Sequence, residues 1–225
     1  IEVASHADAY TLFESLNNRG VPLTAIDLIK NKLLARLETT EPGKVDHYFD
    51  VWNKLLGYLG DDYSVQERFF RHYYNAFKDP LNVPFRDDKK KDPLGQVATR
   101  SNLIQIYEKL INQGAKHHLQ TIRSACQLYA LMLGRNPDEA WAQLDKPLKD
   151  LDRIQGAPFY LLILYLLVRR ETLGIDVAQL EEIARLLVCF FVRRNLTDTP
   201  PTRDLTRLFM ATIDKVVGLS GAVVV

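Results

Sequence analysis

A short polar turn has the clearest capacity for chemistry in this sequence. It consists of Asn17, Asn18, Arg19 and Gly20, and it stands between two stretches with helical spacing. The first backbone N–H groups of a helix have no partner within the helix, so they attract anions, and an arginine can hold a phosphate through two hydrogen bonds. The turn is therefore a candidate phosphate or nucleotide site.

Three more polar residues follow in the next predicted helix. Asp27 and Asn31 are four residues apart and so share one helix face, with Lys30 next to it. The candidate nucleotide-binding set is Asn17, Arg19, Gly20, Asp27, Lys30 and Asn31. The alternative is a simple helix hairpin whose Asn and Gly residues serve turn geometry, and composition alone favours it because polar turns are common.

A second candidate site is basic and lies near the end of the chain. Arg193, Arg194 and Arg203 could contact nucleic acid, together with Arg169 and Arg170. The alternative is structural, since arginines at a helix C-terminus complement the helix dipole and are usually solvated. The formal net charge of the whole chain is only +1, which argues against a strongly electrostatic nucleic-acid binder.

The elements that would position these residues are helices. Thr24 with Asp27 predicts a capping box, and Ser64 and Asp176 are the expected caps of two later helices. Separate helices are expected over 103–114 and 119–133, divided at Gly114, and further helix starts are expected at Pro137 and Pro147. The pattern predicts an all-α bundle of about ten helices, with a remnant strand at Ile1–Val3 and a subdomain boundary within 79–93.

The composition points to a folded protein of a reducing compartment. The chain has 225 residues, of which 47% are hydrophobic, so it can bury a substantial core. Both cysteines, Cys126 and Cys189, fall within apolar helical patterns, and we expect buried thiols in a cytoplasmic protein. The most apolar run, 157–168, is too short to span a bilayer, so no membrane partner is expected.

The histidines predict no metal site. His117 and His118 are adjacent, and adjacent side chains on a helix point about 100° apart, so they cannot easily share one metal ion. No phosphate loop and no dinucleotide fingerprint occurs in the sequence. We therefore expect no catalytic residue, no metal and no cofactor within this chain itself.

Two stretches resemble a known family, the GmrSD-type modification-dependent restriction nucleases. The first matches the second signature of the family's N-terminal domain and reads Phe13-x-x-x-Asn17-x-Arg19-Gly20-x-x-Leu23-Thr24-x-x-Asp27-Leu28-x-Lys30-Asn31. The second is similar to the arginine-bearing helix end that precedes the family's nuclease domain and covers Phe190-Phe191-Val192-Arg193-Arg194-Asn195-Leu196-Thr197 with Pro200-Pro201-Thr202.

The resemblance implies a domain organisation and a role. Residues 1–38 would be the C-terminal end of a GmrS-like domain with a ParB/sulfiredoxin-like fold, and 39–225 a helical scaffold. The family's Asp-Gly-Gln-Gln-Arg nucleotide motif and its His-Asn-His nuclease segment are absent from this sequence. We therefore expect a piece of a longer enzyme, which would use a nucleoside triphosphate and a divalent metal to cleave modified phage DNA.

A different class of function stays open. The chain could be a helical adaptor or dimerisation module with no link to DNA, in which the exposed part of the turn at 17–20 binds a partner protein. Self-association fits either interpretation. An Asp-Gly-Gln-Gln-Arg segment and a His-Asn-His segment in the same gene would exclude the adaptor.

Overall fold

The described part of the chain is helical throughout its regular structure. A computed structural model describes residues 23–78, 93–135, 139–154, 156 and 158–216, without the side chain of residue 203. Within these ranges the chain contains no strand, which confirms the predicted all-α class there. The helices are α1 (Ala25–Thr40), α2 (Val45–Leu59), α3 (Tyr63–Phe77), α4 (Leu103–Met132), α5 (Ala142–Arg153), α6 (Phe159–Leu173), α7 (Val177–Thr197) and α8 (Thr202–Val216), with short 3₁₀ turns at Pro93–Gly95 and Glu139–Trp141.

The described residues form eight α-helices where about ten were expected for the chain. The helices predicted over 103–114 and 119–133 are one helix, α4, with a kink where Gly114 has extended dihedral angles. Pro147 does not start a helix but lies inside α5, where its ring is buried on the same face as Leu144 and Leu151. The predicted strand at Ile1–Val3, the helix after it and most of the predicted boundary at 79–93 lie outside the described residues.

Local hydrogen bonds explain where the helices begin. The Thr24 and Asp176 caps are confirmed, each as a capping box with the residue three positions later. Ser64 was predicted to cap α3, and this is wrong, because the Asp62 carboxylate is the cap and accepts a 2.8 Å hydrogen bond from the Ser64 backbone. Asp62 is the preferred cap because the helix dipole stabilises a carboxylate next to the positive end of a helix.

The helices belong to two compact units. The first comprises the described residues up to Arg71 together with Lys78–Ser124. Its core contains a ring cluster in which the Phe70 centroid lies 5.6 Å from that of Trp52 and 5.1 Å from that of Tyr107. The Tyr107 hydroxyl donates a 2.8 Å hydrogen bond to the Phe70 carbonyl, which satisfies a polar group deep in that core.

The second unit comprises His72–Phe77 and the described residues from Ala125 onward. Its centre is α6, in which every residue from 159 to 167 is buried. α6 packs against α7 and α8, and α5 packs against α7. A helix that is apolar on all sides requires neighbours on all sides, so this arrangement follows directly from the sequence of α6.

The cysteine prediction is half right. Cys126 is buried, as expected, but Cys189 is exposed. Cys189 lies on the face of α7 opposite the residues that pack inward, Leu180, Ala184 and Leu187. The sequence shows Cys189 only as part of an apolar run, and such a run does not indicate which face of α7 is buried.

None of the described helices is both long enough and apolar enough to cross a lipid bilayer.

Candidate functional site

The start of α1 carries the described half of the predicted nucleotide site. Asp27 donates its backbone N–H to Thr24 Oγ1 at 3.2 Å, and Asp27 Oδ2 accepts from the Thr24 hydroxyl at 2.6 Å and from the Thr24 backbone at 3.2 Å. The Asp27 carboxylate thus occupies the position at the helix N-terminus that favours an anion. A phosphate approaching these groups would meet a negative charge already in place.

Lys30 lies on the same helix turn and is held there by two contacts. Its Nζ is 3.6 Å from Asp27 Oδ1 and 5.9 Å from the centre of the Phe49 ring on α2. Both are weak, partly exposed interactions, worth about 0.3–1 kcal/mol each. They leave the Lys30 ammonium close to the start of α1 and partly accessible to solvent.

Asn31 differs from Asp27 in its surroundings although the two were expected to share a face. Asn31 is buried, at 5% exposure, whereas Asp27 is half-buried. Its Nδ2 has no hydrogen-bond partner among the described residues. A buried amide that lacks a partner costs about 1–3 kcal/mol, so this position favours a hydrogen-bond acceptor beside Nδ2.

Of the predicted set, the structure brings Asp27 and Lys30 together and places Asn31 in the interior one turn later. Asn17, Arg19 and Gly20 lie outside the described residues. Tyr63 is an addition that sequence reasoning missed, since its hydroxyl accepts a 3.4 Å hydrogen bond from the Ala25 backbone across 38 residues of sequence. Phe49 is a second one; it lies on α2 and Tyr63 lies on α3, so only the packing of these helices beside α1 could have indicated them.

Arg194, a candidate nucleic-acid contact, is committed to the turn between α7 and α8. Its Nε donates to the Pro200 carbonyl at 3.0 Å, and its Nη2 donates to Asp198 Oδ1 at 3.0 Å and to Thr202 Oγ1 at 2.7 Å. The side chain is only 15% exposed. These bonds engage the Nε and Nη2 donors of the guanidinium within the turn.

The other basic candidates are placed differently from Arg194. Arg193 is exposed and forms no ion pair among the described residues, and the side chain of Arg203 is not described. Arg170 stacks on Trp141 with its guanidinium carbon 4.9 Å from the ring centre. Arg169 is half-buried, so Arg193 is the fully exposed arginine among the described members of the set.

A cleft in the second unit was not expected from the sequence. It has two adjoining chambers of about 280 and 440 Å³, and both are lined by Leu131, Gly134, Asp145, Leu148 and Lys149. Lys149 donates a 2.6 Å hydrogen bond to Asp145 Oδ2 at the shared wall. This bond pairs the two opposite charges of the shared wall.

The histidine pair on α4 is split by burial. His117 is exposed, whereas His118 is buried and its Nδ1 has no hydrogen-bond partner among the described residues. Burial, with a smaller contribution from neighbouring His117, lowers the pKa of His118 from 6.5 to about 4. Within the described ranges no three His, Cys, Asp or Glu side chains lie close enough together to hold a metal ion.

Comparison with known proteins finds no matching family model, no matching curated protein and no matching solved structure.

Proposed function

We propose that this chain is a non-catalytic helical scaffold of a GmrSD-like anti-phage restriction nuclease. In this role it couples a domain that senses or hydrolyses a nucleotide to a domain that cleaves modified DNA. The observation that carries the proposal is the bonding at the start of α1. There Thr24 and Asp27, two residues of the stretch that resembles the family signature, hydrogen-bond to each other and so cap the start of the helix.

A capped helix start suits a coupling element. α1 packs against α2, and its residues Ile29, Leu33 and Leu37 are buried. A displacement of the segment before Thr24 would therefore move α1 as a body, because its first turn is tied by three hydrogen bonds. Because the Asp27 carboxylate already occupies the helix N-terminus, a nucleotide bound near the start of α1 would instead meet the Lys30 ammonium beside it.

A nucleotide hydrolysis assay tests the scaffold role. This chain and a longer protein carrying the Asp-Gly-Gln-Gln-Arg and His-Asn-His segments are each incubated with ATP and GTP, and phosphate release is followed. We expect turnover by the longer protein and none by this chain. Clear turnover by this chain alone would overturn the proposal.

Two matched lysine variants test the location of the site. In the longer protein, Lys30→Gln is expected to weaken binding of a fluorescent nucleotide analogue, since it removes the cation beside the helix start. Lys32→Gln is the control, because Lys32 pairs with Glu108 at 3.2 Å and lies on another face of α1. If both substitutions weaken nucleotide binding equally, Lys30 is not part of the binding site.

A helical interaction module with no link to DNA is the second candidate. Its support is a pair of partly exposed aromatic rings in contact with the first turns of α1, namely Phe49 at 41% exposure and Tyr63 at 37%. Exposed aromatic rings are typical anchors of protein interfaces. The order of segments in the gene distinguishes the two functions, since an adaptor needs neither the nucleotide motif nor the nuclease segment.

A further inference from the structure

α7 carries two stripes of residues with the same spacing on opposite faces. The inward stripe is Leu180, Ala184, Leu187 and Phe191, all of them buried. The outward stripe repeats the four-three spacing and consists of Glu182, Leu186, Cys189, Arg193 and Leu196, all of them exposed. At 100° per residue the outward stripe spans an arc of only about 80°, so its side chains form one continuous seam.

The seam combines exposed apolar side chains with two charged ones. Seven large hydrophobic side chains are exposed in the described chain, and three of them, Leu186, Val192 and Leu196, lie on α7. Leu186 is 52% exposed and Leu196 is 82% exposed, and Val192 borders the stripe. Leu186, Cys189 and Leu196 occupy heptad-spaced positions of the stripe, which is the spacing of a helix that packs against another helix.

The charged members of the seam are opposite in sign and reciprocally placed. Glu182 and Arg193 lie about 16 Å apart along the helix, at equal distances from the midpoint between Leu186 and Cys189. Neither forms an ion pair with a described residue, whereas Arg185 on the same helix is held by Glu181 at 2.6 Å. The part of the seam from Glu182 to Arg193 is therefore complementary to its own reverse.

We infer that the outward seam of α7 is a self-association surface, on which a second copy of this chain packs antiparallel about a two-fold axis between Leu186 and Cys189. In this register Glu182 faces Arg193 of the partner subunit, and Leu186 faces Cys189 of the partner subunit. A parallel pairing would instead bring Glu182 and Arg193 each against its own copy. The charges thus select the antiparallel orientation.

The seam covers only one face of a single helix. The area that it can bury is therefore smaller than the roughly 800 Å² that each partner buries in a standard interface. The dimer is accordingly weak and concentration-dependent. The inference does not rest on the proposed scaffold role, since it uses only residues of α7 and holds for an adaptor equally well.

Charge reversal tests the register. Sedimentation equilibrium of the chain from about 1 to 500 µM measures the dissociation constant. Glu182→Arg or Arg193→Glu alone is expected to raise that constant at least about tenfold, because like charges then meet across the axis, and the double variant is expected to restore it. Glu171→Arg on α6 is the control, since Glu171 is highly exposed and lies outside the seam.

Cross-linking gives a second readout that does not depend on stability. In the inferred dimer the two copies of Cys189 lie about 4.5 Å apart along the helix axes, and packed axes are about 8–10 Å apart. Bismaleimidoethane should therefore join them, while buried Cys126 stays unmodified. The cross-link should be lost in Cys189→Ser, weakened in Glu182→Arg and recovered in the double charge variant.

Three results would overturn the inference. One is a chain that stays monomeric at the highest concentration. Another is a dimer whose dissociation constant is unchanged by Glu182→Arg and by Arg193→Glu. The last is a chain that dimerises only after residues 217–225 are deleted, which would assign the cover of the seam to the chain's own C-terminal segment.

Discussion

Lys116 on α4 donates a 2.7 Å hydrogen bond from Nζ to Oε1 of Glu41, the residue that follows α1 and lies 75 positions earlier. Glu41 Oε2 also accepts a 2.9 Å bond from Lys44. These two ammonium groups, with Lys116 the stronger influence, lower the pKa of Glu41 from 4.5 to about 2. The pair fastens the end of α1 to α4 within the first unit.

The Glu41 pair predicts an acid-dependent contribution to stability. Because the folded pKa is depressed, the contribution is present above pH 4.5 and is lost as the pH falls through about 2. Lys116→Met should raise the pKa of Glu41 toward 4.5, and Lys109→Met, an exposed position on the same helix, should leave it unchanged. Carbon-13 NMR titration of the side-chain carboxyl measures both, and a Glu41 that titrates near 4.5 in the unmodified chain contradicts the prediction.

The lowered pKa of His118 predicts that the free energy of unfolding also depends on pH in a higher range. The pKa of His118 is about 4 in the folded chain, against an ordinary value of 6.5. As the pH falls, the unfolded chain therefore takes up this proton at a higher pH than the folded chain does. The stability it contributes is complete above pH 6.5 and is lost as the pH falls through 4. The total amounts to about 3 kcal/mol at most, from 1.36 kcal/mol for each pH unit of difference.

Urea unfolding of two neighbouring variants between pH 7 and 4 tests the histidine. His118→Gln should remove this fall in the free energy of unfolding, because its side chain does not titrate. His117→Gln should keep it, since His117 is exposed. A fall of the same size in both variants would assign the pH dependence to other groups.

Arg194 is predicted to stabilise the fold rather than to bind DNA. Arg194→Lys keeps the charge but loses the planar fork that reaches Pro200, Asp198 and Thr202. We expect the free energy of unfolding to fall by about 1–3 kcal/mol. Arg193→Lys, measured at a concentration where the chain is monomeric, should change it by less than about 0.5 kcal/mol.

The opposite outcome at Arg194 is equally measurable. If Arg194→Lys were as stable as the unmodified chain and a DNA-binding assay of the longer protein lost affinity, Arg194 would belong to a nucleic-acid interface. A loss of stability with unchanged DNA affinity supports the structural role.

The cysteines are predicted to react at very different rates. Cys189 is exposed, whereas Cys126 is buried and its burial raises the pKa of its thiol well above the usual range. Iodoacetamide should therefore add one label to the native chain at low concentration and two to the unfolded chain, as counted by mass spectrometry. Two labels at equal rates on the native chain would contradict the buried position of Cys126, and Cys189→Ser should take none.

The features that the sequence alone determined are local ones. The all-α class of the described residues, the Thr24 capping box and the Asp176 cap were predicted correctly, because each depends on residues within a few positions of one another. Helix count was less certain, since a glycine such as Gly114 bends a helix as easily as it ends one.

Tertiary structure alone decided which side chains meet and which stay exposed. The contact of Lys116 with Glu41, the fork of Arg194 over the turn before α8 and the outward position of Cys189 all depend on how helices pack. An apolar run such as that of α7 is compatible with burial on either face, and only its neighbours select one. The physical reason is that helical periodicity specifies a side chain's direction around its own axis, while its partners are specified by the packing of helices distant in sequence.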